Sequence, residues 1–406
     1  MIEKKHLSSM VSISIFCGLM LHFESLKANK VSTSEDTDIK HLVANEPEAQ
    51  IPYNVSHYIY HDLNLNGIYD YNDRILSGIG VTLSKPDGTR IVRKSNIHGF
   101  VNFTTMYDNP FADISMPGEY VFTINTPNKW IVTSNNPIQK ILFNTDPESR
   151  SGIVAVATPD PAGLVQVLAV SGTPKLATVT GDTVTSTELI VYFNNDEQSL
   201  SPLVTAIDQK FLQPLKPGKW QVEFIHKDRS AKLLLDVIVN NTPIHFGNLK
   251  IGQAAKHRSD NLLDFTENFE NITRAIISKV PLQSNGLKWT NMIAVENTTY
   301  RGDGYVNNTM SGHYIGYNTS GYPVTVERKK PFDFLGAYFG VAWPGGDGEN
   351  LISKAWHEDT LISTDIIPLS VHGPIWFQAN YSNITKLELS TEHYWQFVTD
   401  DMTFRL

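Results

Sequence analysis

From residue 51 onward, apolar residues come in short runs that alternate with polar ones. Each run is entered through Gly, Pro, Asn or Asp. "GIGVTLS", "GFVNFTT", "GEYVFTI" and "KWIVTS" are of this kind, and "GLVQVLAV", "TELIVYF", "KWQVEFI" and "AKLLLDVIV" continue the pattern past residue 151. Alternation puts every second side chain on one face of a strand, and the turn residues bound each strand. Helical periodicity is nearly absent, so the pattern predicts an all-β chain of tandem β-sandwiches. Breaks in texture divide it into units at 51–150, 151–256 and 257–406, the last holding Trp289, Trp343, Trp356, Trp376 and Trp395. "MPGEYVFTI" and "LKPGKWQVEFI" share Pro-Gly, a charge, an aromatic and then alternation. Two related sandwiches in tandem explain that echo; a common turn before a strand explains it too.

The first 50 residues read differently. Lys4, Lys5 and His6 precede "MVSISIFCGLMLHF", an apolar run of roughly 14 residues, too short to span a bilayer. Residues 1–28 are therefore expected to be a cleaved secretory signal, with an N-terminal membrane anchor as the alternative. Residues 29–50 are polar and acidic and are expected to form a flexible leader. Cys17 is the only cysteine and lies in the signal, so the mature chain has no disulfide and another staple is expected. The formal charge of −9 becomes −10 once three lysines and two glutamates leave with residues 1–28. That acidity argues against nucleic acid or an anionic membrane as the partner. Sequons stand at Asn54, Asn102, Asn240, Asn271, Asn297, Asn307, Asn318, Asn380 and Asn383, the glycosylation candidates if the source is eukaryotic.

The stretch "HDLNLNGIYDYNDRILSGIGVTL" carries the sharpest chemistry. Asp62, Asn64, Asn66, Ile68 (through its carbonyl), Asp70 and Asp73 fall at the offsets that wrap a Ca²⁺ ion in a helical calcium hand, with Gly67 at the sharp turn. Three carboxylates on one loop repel each other without a cation. The flanks, "SHYIYH" and "ILSGIGVTLS", are β-like, which argues against a helical switch. A calcium clamp between strands and an Asx-rich turn that binds nothing both stay open.

This loop, together with "LSGIGVTL", "SNIHGFVNFTTM" and "MPGEYVFTI", resembles the B-type repeat of serine–aspartate repeat surface proteins and the prealbumin-like B domains of collagen adhesins. The likeness runs from about residue 53 to 130. It implies a prealbumin- or Ig-like sandwich with calcium in the loop, acting as a rigid extracellular spacer. In some relatives a Lys–Asn crosslink forms. Asp73 departs from the usual acidic residue, and the Ser-Asp repeats are absent.

The segment from about 264 to 406, with "FENITRAIISKVPLQSNGLKWTNM", "GYVNNTMSGHYIGYNTSGYPVTV" and "PFDFLGAYFGVAW", resembles a family of secreted β-sandwich domains. That implies a fold like the galactose-binding jelly rolls of carbohydrate-binding modules. In such a fold Glu270 lies opposite Asp400 or Asp401, a candidate second metal site or a pair of strands with solvated acids. Trp343 and Trp356 are candidates for stacking sugar rings, with burial in the core as the alternative. The Arg301-Gly302-Asp303 triplet is a weak integrin motif. No zincin, nucleophile-elbow or phosphate-loop motif occurs, so no catalytic residue is assigned. The expected function is a secreted, calcium-stabilised structural or adhesive component of a cell wall, surface or matrix. Its partner would be a wall or matrix polysaccharide or a surface protein. The alternative is a carbohydrate-binding protein with its site on the C-terminal unit.

Overall fold

A computed structural model describes residues 51–177, 186–227, 231–252 and 264–406. The expected signal (1–28), the leader (29–50) and Cys17 lie outside them. Among the described residues the chain is built almost wholly of β-strands, with one α-turn at Asp303–Asn307 and two short 3-10 turns. The described residues belong to one compact unit with three main cores.

The first lobe is a sandwich of two five-stranded sheets. One holds Arg90–Lys94, Gly80–Ser84, Gly118–Asn125, Ile138–Thr145 and Ile153–Ala155 in that order. The other centres on Tyr53–His61, which pairs antiparallel with Phe100–Thr105 and with Arg74–Ile75. It also pairs in parallel with Ala162–Gln166, Ile59 opposite Ala162. Phe103, Tyr120, Phe122 and Phe143 are fully buried between the sheets. Each such side chain contributes about 1.5–3 kcal/mol, the main support of a lobe without disulfides. This core runs from Ile59 to Leu164, so the first unit ends near residue 166 and not at 150. Strands Ile153–Ala155 and Ala162–Gln166 complete the first lobe.

In the second lobe, Leu203–Ala206, Glu188–Asn194, Gly218–His226 and Lys232–Val239 form one sheet. Phe211–Pro214, Ala169–Gly172 and Ile244–Phe246 form the start of another. That second sheet does not stop at the lobe. Ile244–Phe246 pairs in parallel with the C-terminal strand Ile375–Thr391, Ile244 opposite Trp376 and Phe246 opposite Gln378. Trp376 accordingly packs partly against the second core. In the C-terminal lobe, the long strands Val324–Val341 and Ile375–Thr391 pair through three register shifts that bend them. Val324–Val341 also pairs with the final strand Phe397–Arg405.

The echoed phrases build the same local device. Tyr120 donates its hydroxyl to the Met116 carbonyl at 3.0 Å, and Trp220 donates Nε1 to the Lys216 carbonyl at 2.9 Å. Each aromatic reaches four residues back across a glycine, Gly118 (φ 143) or Gly218 (φ 142).

Candidate metal centre

Residues 62–73 form a loop closed by its own flanks. Tyr60 pairs with Ile75 and His61 with Arg74 across its neck. The Asp62 amide donates to the Leu164 carbonyl at 2.9 Å, which anchors the entrance to the parallel strand. At Gly67 (φ +72) an added Cβ would stand 2.8 Å from the Thr133 carbonyl, so the turn lies tightly on the strand end beneath it.

The loop's carboxylates accept its own main-chain donors. Fully buried Asp62 takes Gly67 N–H on Oδ2 at 2.8 Å and Asn66 N–H on Oδ1 at 3.3 Å. Asp73 takes Leu63 N–H at 3.1 Å and Asp70 N–H at 2.9 Å. Asp70 Oδ2 is the meeting point of the Asn64 and Asn66 side-chain amides, at 2.7 and 3.0 Å. The N–H of Asn72, followed by the Asn64 amide, pulls the Asp70 carboxyl below its ordinary range. Burial pushes Asp73 above it, and the charges of Asp62 and Asp70 add to that push. Asp62, Asp70 and Asp73 do not bring one oxygen each within 4.8 Å of one another.

Two hydroxyls beside the loop are buried without a hydrogen bond, Tyr60 Oη and Thr133 Oγ1. A Cβ at Gly163 would meet both, at 2.7 and 2.8 Å, so both border the space above that glycine. Tyr60 is pushed up to about 12 by burial, then by Asp62, Asp73 and Asp70. The donor set of this loop consists of hard oxygens, the kind a Ca²⁺ ion takes. The structure shows where each donor lies: Asp62 inside, Asp73 at the neck, and Asp70, Asn64 and Asn66 together on the outer side. Ile68 is 70% exposed, and its N–H donates to Asn66 Oδ1 at 2.7 Å.

The neck delivers the next residues into the C-terminal lobe. Arg74 donates to the carbonyls of Thr309 and Met310. Ser77 N–H donates to Asn307 Oδ1 at 2.9 Å, and Asn307 Nδ2 returns a bond to the Ser77 carbonyl at 3.0 Å. Ser77 Oγ donates to Asp303 Oδ1 at 2.7 Å. The aspartate of the Arg-Gly-Asp triplet is thus engaged within the chain, across this seam. Nothing in the local sequence signals it, because the partners lie 226 to 236 residues apart.

Glu270, Asp400 and Asp401 all grip the turn at 310–314, by hydrogen bonds. Glu270 Oε1 accepts the N–H groups of His313 and Tyr314, both at 2.6 Å. Asp400 Oδ2 accepts those of Met310 and Ser311 at 2.6 and 2.9 Å, and Asp401 accepts the Ser311 hydroxyl at 2.7 Å. Burial and the Asp401 charge push Asp400 up to about 7. Among the described residues, one acid–histidine group does bring its ligand atoms within 4.8 Å of one another: Glu349, Glu392 and His393. Sequence reasoning missed it, since Glu349 lies 43 residues from Glu392. Glu349 Oε1 already accepts the N–H groups of Asn350 and Glu392, each at 3.0 Å.

Trp343 is half-buried, with Nε1 donating to Gln396 Oε1 at 2.7 Å and its ring edge-on to Tyr305 at 5.6 Å. Trp356 lies under the Lys386 ammonium, 5.7 Å from its ring centre, and its Nε1 is buried without a partner. The sequons divide by exposure. Asn54, Asn102, Asn240, Asn271 and Asn383 are exposed, and Asn297 and Asn380 half-buried. Asn307 and Asn318 are corrected: both are buried, and their amide nitrogens donate to carbonyls, leaving no room for a glycan in the folded chain.

No protein-family model and no curated protein matches the chain. Solved structures that match include the shaft pilin SpaA from Lactobacillus rhamnosus GG, at 11% identity over 48% of this chain and 96% of that one, TM-score 0.21. The Bacillus anthracis TIE protein matches at 13% identity over 47% of this chain, TM-score 0.19, and this chain covers 33% of its length. The M60 catalytic domain with CBM51-1 and CBM51-2 from Clostridium perfringens ZmpB matches at 11% identity over 83% of this chain and 31% of that one, TM-score 0.20. At these TM-scores the all-β assignment rests on the chain's own strands.

Proposed function

We propose that the chain is an extracellular structural or adhesive β protein whose first lobe is held by a calcium ion in the loop at 62–73. The observation that carries this reading is the loop itself. It carries three carboxylates and two carboxamides between paired strands, with both carboxamides on Asp70 and the buried Tyr60 hydroxyl unpartnered nearby. The carboxamide N–H groups of Asn64 and Asn66 stand where a cation would neutralise Asp70. Turning those amides presents oxygens in their place. Asp62, Asn64, Asn66, Asp70 and Asp73, with the Ile68 carbonyl, would hold the ion. The ion supplies charge neutralisation and no chemistry. The extracellular location rests on the signal-like residues 1–28.

The size of the effect suits a clamp. Extracellular modules bind Ca²⁺ at about 10⁻⁴–10⁻³ M. At about 2 mM calcium and a Kd near 0.1 mM, linkage adds roughly 1.8 kcal/mol. Because the neck continues into Arg74 and Ser77, stiffening the loop also stiffens the seam with the C-terminal lobe. The test is thermal unfolding of the full chain in chelator and in millimolar calcium. The reading expects a higher melting temperature with calcium and little change with magnesium. Equal melting in chelator and calcium contradicts it.

A further inference from the structure

The three lobes meet around a cleft of about 130 Å³. Its wall takes Lys129 and Gln166 from the first lobe, Ser171 and Lys210 from the second, and Ser370 and Gly373 from the third. Two lysines and no carboxylate line it, in a chain whose formal charge is −9. The cleft is therefore a local reversal of the surface charge, and low-dielectric walls concentrate such a field. Clefts between domains are also where small-ligand sites concentrate.

Both lysines line the cleft. Lys210 is held below its ordinary range by burial and then by the charge of Lys129. Lys129 has φ 62, a conformation uncommon outside glycine and costly for a lysine. Its carbonyl accepts the Val167 N–H at 2.7 Å, and the Trp130 N–H bonds the Pro127 carbonyl at 3.1 Å, which fixes the turn. Lys129 thus sits on a fixed, strained turn.

The floor adds a second demand. Gln166 is 7% exposed, lines the cleft, and its Oε1 has no hydrogen-bond partner. As placed, the amide leaves an acceptor unsatisfied, and an acceptor calls for a donor. A bare anion satisfies the lysines but gives nothing to an acceptor. A hydroxylated acid satisfies both. Ser171 beside it is fixed by a 2.9 Å contact with the buried His245.

We propose that this interlobe cleft binds the carboxylate and a hydroxyl of an acidic sugar, free or as a residue of a polysaccharide, with Lys129 and Lys210 pairing the carboxylate and Gln166 the hydroxyl. The site is separate from the calcium loop, and its test does not depend on calcium binding.

The test is isothermal titration of the full chain with D-galacturonic acid, with an oligogalacturonide and with neutral galactose. At least one acidic ligand binds, and galactose binds at least about tenfold more weakly. Binding of the monomer shows that the free acid suffices, and binding of the oligomer alone assigns the site to a polymer. Lys129→Asn, which tolerates the left-handed turn, and Lys210→Gln each weaken binding by about three- to fivefold, with no fall in melting temperature. Added salt weakens it further. No binding of either acid, equal binding of galactose, or unchanged affinity in both variants overturns the proposal.

Discussion

Replacing Arg74 by methionine tests the seam between the first and C-terminal lobes. The side chain keeps much of its length but loses every donor. The carbonyls of Thr309 and Met310 then lose the guanidinium that caps them. An unsatisfied buried acceptor costs about 1–3 kcal/mol. Burial disfavours the Arg74 charge, with Asp400 opposing that effect, so removing the charge returns part of the loss. The net loss is expected at about 1–3 kcal/mol, confined to the seam because the Ser77–Asn307 and Ser77–Asp303 bonds stay in place. Scanning calorimetry reads it directly. The wild type melts with the two lobes coupled, and Arg74→Met splits off an earlier transition from the first lobe. For a lobe of this size, 1 kcal/mol corresponds to roughly 4–8 °C. A variant that melts in one transition within about 1 °C of wild type refutes the coupling.

Other expectations follow from the same geometry. Gly67→Ala forces both a left-handed alanine and a Cβ 2.8 Å from the Thr133 carbonyl, so urea denaturation should show a loss of about 1–3 kcal/mol. Gly88→Ala is the control: it shares the positive φ but has open space around its Cβ, and it should lose less. Asp400 has a folded-state pKa raised from 3.8 to about 7, so the folded chain holds its proton more tightly than the unfolded chain. Its contribution is complete below pH 4 and is lost as pH rises to about 7, on the order of 4 kcal/mol in all. Asp400→Asn should flatten the melting temperature across that pH window, and an unchanged profile would show that Asp400 does not titrate there.

The β architecture was legible because alternation survives in the half-buried strands. Glu188–Asn194 and Ile138–Thr145 bury alternate residues, and turn residues bound them. The loop at 62–73 was legible because its donors are spaced along one short segment. What stayed hidden is non-local. Ala162–Gln166 is buried on both faces, so it carries no alternation, and its parallel partner lies about a hundred residues upstream. It was read as the second unit for that reason. The sheet crossing from Ile244–Phe246 to Ile375–Thr391 is likewise a parallel pairing without local signature. The arginine that docks the lobes sits one residue past the candidate ligand Asp73 and reads as an ordinary loop charge. For Glu270, Asp400 and Asp401, sequence could not show that the turn at 310–314 already occupies their oxygens, with main-chain N–H groups on Glu270 and Asp400 and the Ser311 hydroxyl on Asp401.

The most direct measurement is calcium titration of the full chain by isothermal calorimetry, wild type beside an Asp62→Asn/Asp70→Asn variant. The account predicts one calcium per chain in the 62–73 loop, with a Kd of about 10⁻⁴–10⁻³ M, absent from the variant. No calcium binding by the wild type, or binding retained in full by the variant, would contradict it.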